Sequence, residues 1–130
     1  MVWHEAIHPI MNIIHNSNKA LYDKIHKGIL ANAKANPRGG MQSVINDVER
    51  VYTKEKGYTD ADRKDEIIVE ALARLSAGTM SFSELQPTLR QQFIDLINRI
   101  GRILGLSKAE VSDMKAIKDL AKKITETTLS

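Results

Sequence analysis

Residues 85–104 read LQPTLRQQFIDLINRIGRIL. Leu85, Leu89, Phe93, Leu96, Ile97, Ile100 and Leu104 recur at steps of three and four. On a helix of 3.6 residues per turn, that spacing gathers them into one apolar stripe. Pro87 falls in the first turn, where its missing N–H has no helical partner to lose. Gly105 is a natural stop. No stretch of the chain offers a convincing strand alternation, so the period of this segment sets the fold class as all-α.

Working outward, the same period recurs. Residues 2–16 carry Ile7, Ile10, Met11 and Ile14 on one side, with Pro9 implying either a kink or a start later than His4. Ser17 is the expected cap of a helix over 17–35 with Leu21, Ile25 and Ile29 inward. Asn36-Pro37-Arg38-Gly39-Gly40 is the clearest loop. Residues 41–55 turn Val44, Ile45, Val48, Val51 and Tyr52 inward and end at Gly57. Thr59 or Asp60 caps a helix to about residue 76 with Ile67, Ile68, Ala71, Leu72 and Leu75 inward. Ser107-Lys108-Ala109-Glu110 has capping-box spacing for a last helix, which would bury Val111, Met114, Ile117, Ala121 and Ile124. The expectation is a bundle of about six helices, with residues 1–78 as one part and 79–130 as a helical extension packing on it.

The chain has 130 residues, enough to bury about two-thirds of its unfolded surface without disulfides. It has no cysteine, which removes thiolate ligands, thiol nucleophiles and disulfide frameworks together. Nineteen basic and sixteen acidic residues alternate along it, a pattern of solvated helix faces rather than a nucleic-acid footprint. No apolar run approaches the roughly 18 residues of a membrane span, and no signal-peptide layout opens the chain. These features place it in the cytoplasm or in a phage particle, away from a membrane.

The chemistry concentrates near the start, in His4-Glu5-Ala6-Ile7-His8. Residues four apart on a helix stack on one face with Cβ atoms about 5–6 Å apart, so His4 and His8 can each offer a ring nitrogen to one zinc ion. Glu5, one residue round, can accept a proton from a water whose pKa zinc lowers to about 7. A third histidine at metzincin spacing is missing, since Met11 and Ile14 occupy the required glycine and histidine positions. A glutamate from a separate helix is the other solution. Asp65-Glu66-Ile67-Ile68-Val69-Glu70 supplies it, with Glu66 as ligand and Glu70, one turn on, as hydrogen-bond partner of a ligand histidine. Without the first motif, Glu70 with Arg74 and Glu66 near Arg63 would read as a solvated face.

HEAIH followed some 60 residues later by DEIIVEALARL resembles the gluzincin type of zinc metallopeptidase. In particular it resembles the minimal zincin-like domains in large proteins of phages and mobile elements. The resemblance covers residues 3 to about 77. It implies zinc held by His4, His8 and Glu66, Glu5 as general base, Glu70 behind a ligand, and a peptide or protein substrate. Zincins place a β-sheet before the motif helix, and only Met1-Val2-Trp3 precedes His4. The resemblance therefore implies the helical half of such a domain, with the rest in a larger polyprotein. Tyr58 and His15 are the candidates for oxyanion or substrate contact. The competing reading is a non-catalytic helical interaction or structural module of a phage or mobile-element protein with a degenerate motif.

Overall fold

The computed structural model describes residues 2–110 and 112–129, with side chains for 7–110 and 112–127. Six α-helices run in order: α1 (Val2–Ser17), α2 (Lys19–Ala35), α3 (Gly40–Val51), α4 (Asp60–Ala77), α5 (Pro87–Ile103) and α6 (Met114–Leu129). Short 3-10 turns at Lys54–Lys56 and Phe82–Glu84 join α3 to α4 and α4 to α5. There is no strand among the described residues, and none of their helices is long and apolar enough to cross a membrane.

The stripes define the core. Ile7, Met11 and Ile14 of α1, Ile25 and Ile29 of α2, Ile68 and Leu72 of α4, Phe93 and Ile97 of α5 and Ile117 of α6 are all buried in one apolar cluster. Burying each large side chain contributes about 1.5–3 kcal/mol. Residues before and after Gly78 share this core, because α5 packs on α1, α2 and α6 while α6 reaches α1 and α4. At Gly101, α5 packs tightly on α6: a Cβ built there would lie 3.2 Å from Leu120 Cδ1.

Several boundaries differ from the sequence expectation, each for a visible reason. Pro9 lies within α1, which runs on from Val2 rather than starting after His4. The cap of α2 is Asn18, whose side chain accepts from Leu21 N–H, while the Ser17 hydroxyl donates back to the Ile14 carbonyl. Helix α3 stops at Val51 instead of about residue 55. Arg63 of α4 donates to the carbonyls of Tyr52 and Tyr58 and fixes the connection. Val51, expected inward, is 42% exposed.

The Ser107–Glu110 capping box is not used. Asn98 of α5 accepts from Ala109 N–H and donates to the Ala109 carbonyl, so that backbone is engaged outside any helix. Asp113 accepts from Ala116 N–H instead, and α6 begins at Met114. Val111 lies outside the described residues.

The α4 start follows expectation. Thr59 and Asp62 form a reciprocal capping box, and Gly78 closes the helix at φ +78° with following N–H groups on the Arg74 carbonyl. These two caps fix the register of the helix that carries Glu66.

Candidate metal centre

Asp65 and Glu66 occupy the second turn of α4, immediately before the buried pair Ile67 and Ile68. The apolar pair seats the helix on the core and leaves the two carboxylates at its edge. Successive helical residues diverge by about 100°, so adjacent carboxylates can approach one ring from two sides. His8 of α1 fills that space. Its Nδ1 lies 2.8 Å from Asp65 Oδ2 and its Nε2 lies 2.8 Å from Glu66 Oε1. Glu66 is 14% exposed, while Asp65 and His8 are about twice as open.

A tyrosine backs each carboxylate. The Tyr22 hydroxyl of α2 donates to Asp65 Oδ1, and Tyr52, at the end of α3, hydrogen-bonds Glu66. Burial, then the hydrogen bond to Asp65 and the charges of Asp65 and Glu66, push the Tyr22 phenol far above its ordinary pKa. Burial, followed by the charge and hydrogen bond of Glu66, raises Tyr52 in the same direction. Both phenols therefore keep their protons and act as donors. The result is a continuous polar chain, Tyr22–Asp65–His8–Glu66–Tyr52, drawn from α1, α2, α3 and α4.

An imidazole has a donor or an acceptor at each nitrogen according to where its hydrogens are. Here each nitrogen has a carboxylate oxygen 2.8 Å away, so a hydrogen on either one can meet an acceptor. A cation at one nitrogen meets the same demand. The ligand atoms of His8, Asp65 and Glu66 all lie within 4.8 Å of one another. Imidazole nitrogen and carboxylate oxygen are donors that zinc takes, so the donor set fits the metal expected from sequence.

The other expected residues fall around this centre. His4 and Glu5 belong to the first turns of α1, and their side chains, with that of Trp3, lie outside the described residues. Glu70 accepts from Arg74 Nε at 2.9 Å. Arg74 also donates to Asp47 Oδ2 at 2.6 Å and to Ser43 Oγ at 3.1 Å, which ties α4 to α3. Burial works against the Arg74 charge, but the hydrogen bonds of Asp47 and Glu70 hold its pKa above the ordinary value.

Tyr58 packs its ring edge-on against Tyr52, with centroids 4.9 Å apart, and the His15 ring lies tilted on Tyr22 at 4.6 Å. These two are each one ring removed from the carboxylates. His26 is half-buried beside a cleft of about 310 Å³ with Glu49, Arg63 and Lys64; burial and then Lys64 lower its pKa.

Sequence reasoning brought His8 and Glu66 together but passed over Asp65, Tyr22 and Tyr52. The one available signal was the doublet Asp65-Glu66, since a helix can aim two successive carboxylates around a single ring. Comparison of the chain with family models, with curated proteins and with solved structures returns no match.

Proposed function

We propose that the chain binds zinc between α1 and α4 and is a zinc-dependent metallopeptidase-like protein acting on a peptide or protein substrate. His8 and Glu66 are the ligands, with His4, one helical turn before His8, as the other imidazole and Glu5 as the base. The observation that carries this reading is His8 Nε2 at 2.8 Å from Glu66 Oε1 while Nδ1 rests on Asp65. A metal-ligating histidine ordinarily has its second nitrogen on a carboxylate or carbonyl, which fixes its tautomer and raises its basicity. Bound there, zinc would act as a Lewis acid toward water and a peptide carbonyl. The chain's own contribution is to orient His8, to set Glu66 beside the Tyr52 phenol, and to supply Glu5 as proton acceptor.

The test is calorimetric titration of zinc into metal-stripped protein, for the wild type and Glu66→Ala. One-to-one binding that weakens markedly in the variant supports the site. Binding indifferent to Glu66, or none, removes it. Cleavage of unstructured protein substrates that stops on chelation and in Glu5→Gln then tests the hydrolase.

One observation favours a second reading. The Tyr22 hydroxyl donates to Asp65, and His8 lies 2.8 Å from both Asp65 and Glu66, as the members of a polar clasp between α1, α2 and α4 would. On that reading the protein is a non-catalytic helical interaction or structural module of a phage or mobile-element protein. His8→Ala would then cost stability without any zinc dependence to lose.

A further inference from the structure

We infer that His26 makes the seam between α2 and α4 proton-sensitive: an imidazolium there competes with Lys64 for Asp23 and loosens α2 from α4. The inference does not rest on the metal reading, because none of these three residues is among the groups assigned to zinc.

The seam is built from neighbouring contacts. Asp23 and His26 are three apart on α2, so their side chains share one face of the helix. Lys64 of α4 donates to Asp23, and one residue along each helix Tyr22 donates to Asp65. Lys64 thereby holds the Asp23 carboxyl below the usual carboxylate range, so this pair is ionised wherever histidine titrates. His26 lines the cleft of about 310 Å³ together with Glu49 of α3 and Asp60, Arg63, Lys64 and Ile67 of α4. Arg63 is committed to Asp60 and to the carbonyls of Tyr52 and Tyr58. Asp60 is 89% exposed and Glu49 is also exposed, so water screens both. On the other sides, Lys19 of α2 and His15 of α1 act on Asp23, and α5 meets α2 at Gly28 through the uncharged Leu89 and Gln92. Asp23 is therefore the carboxylate that an imidazolium finds on its own helix face, and Lys64 already occupies it.

A second cation at one carboxylate, in a half-buried cleft, costs free energy that hydration removes. Burial first and Lys64 second hold the His26 pKa below its ordinary value, with Asp23 pulling the other way. When the seam opens, the ring meets water and regains its ordinary affinity for the proton. The open form then binds the proton more tightly than the closed one, and by linkage acid favours opening. The effect sets in as pH falls past about 6.5, the ordinary histidine value, and is complete below the closed-form value. Each pKa unit between the two forms moves the opening equilibrium about tenfold.

The test follows amide exchange in metal-stripped protein from about pH 7.5 to about pH 5, a range that brackets the ordinary histidine value. The intrinsic pH dependence of exchange is divided out, and His26 is titrated by NMR in the same samples. Acidification should speed exchange in α2 and α4 more than in α6. The gain should set in below about pH 6.5 and level off past the His26 midpoint, which should lie below the ordinary value. His26→Gln, uncharged throughout, should lose the gain while His8 and His15 still titrate. Lys64→Met should raise the His26 midpoint and shrink the gain with it.

No gain in wild type, a gain that persists in His26→Gln, or one spread evenly over all six helices overturns the inference. So does a His26 midpoint at or above the ordinary value, or one that Lys64→Met leaves in place, and these readouts need no His26 variant. Every sample is free of metal, so failure of the zinc titration strikes the earlier reading alone.

Discussion

His8 on α1 and Glu66 on α4 meet at 2.8 Å through Nε2 and Oε1, although residues 9–65 lie between them in the chain. Any ion held there joins the first helix to the fourth. A ligand that binds only the folded state stabilises it by mass action, by about 2.7 kcal/mol at one hundred times its Kd. Thermal unfolding of metal-stripped protein with added zinc should therefore shift upward by several degrees. Glu66→Ala should abolish the shift. Equal shifts in both proteins would show that zinc binds elsewhere.

Asn32 is the one polar side chain among the buried described residues, at 5% exposure. Its amide oxygen accepts from Gln86 N–H at 2.8 Å and its nitrogen donates to the Glu84 carbonyl, so α2 caps the start of α5. Asn32→Leu leaves both backbone groups without this partner. A loss of about 1–3 kcal/mol is expected, read as a lower urea midpoint at unchanged slope. A neutral result would mean that water replaces the amide.

Asp47 carries a pH dependence of known sign. Hydrogen bonds from Arg74 and Arg50 hold its carboxyl below the usual range. The folded pKa thus lies under the unfolded value of about 3.9. The stabilisation is complete above the unfolded value and is lost as pH falls through the folded one. Asp47→Asn should lower stability at neutral pH and flatten the acid limb. Acid titrations followed by circular dichroism that stay parallel for the two proteins would count against it.

The helical stripes were legible because burial acts on every third or fourth residue. Ile7, Met11 and Ile14 are buried as their spacing requires, and so are Leu89 through Ile100 at the stripe positions. Local stop signals worked where the backbone alone decides, at Thr59 and Gly78. They failed where a distant side chain competes: Ser107 lost its capping role because Asn98 engages Ala109, and α3 ended early at the carbonyls that Arg63 takes. The site shows the same division. His8 and Glu66 could be paired by motif spacing, but Tyr52 read only as an inward ring and Tyr22 carried no signal, and only the packing of α2 and α3 against α4 brings these rings to the carboxylates.

Two glycines separate strain from crowding. Gly78 closes α4 at φ +78° with nothing within 4 Å of a built Cβ, so Gly78→Ala meets conformational strain alone, about 1–2 kcal/mol. Gly101 has ordinary backbone, but Leu120 Cδ1 lies 3.2 Å from its built Cβ. Gly101→Val should overpack the α5–α6 contact by about 1–3 kcal/mol. Amide exchange should then speed selectively in α6, whereas Gly78→Ala should leave α6 protection in proportion to global stability. Uniform acceleration in both variants would refute the distinction.

Tyr22 provides the alkaline counterpart to Asp47. Its phenol is buried and donates to an ionised partner, and both effects raise its pKa above the unfolded value of about 10. Below that pH neither state ionises there and the stabilisation is whole. As pH rises past it, the unfolded phenol loses its proton while the folded one does not, so folding weakens with each further unit. Tyr22→Phe should cost about 1.5–3 kcal/mol at neutral pH, the worth of a hydrogen bond to a charged group, and should make the alkaline limb shallower. Tyr52, raised in the same direction, keeps part of the slope. In an ultraviolet titration of the three tyrosines, Tyr22 should ionise only as helicity is lost. Ionisation of all three before unfolding, or an alkaline limb in Tyr22→Phe parallel to wild type, would mean that the Tyr22–Asp65 hydrogen bond is not formed in solution, and the anchoring of Asp65 would fall with it.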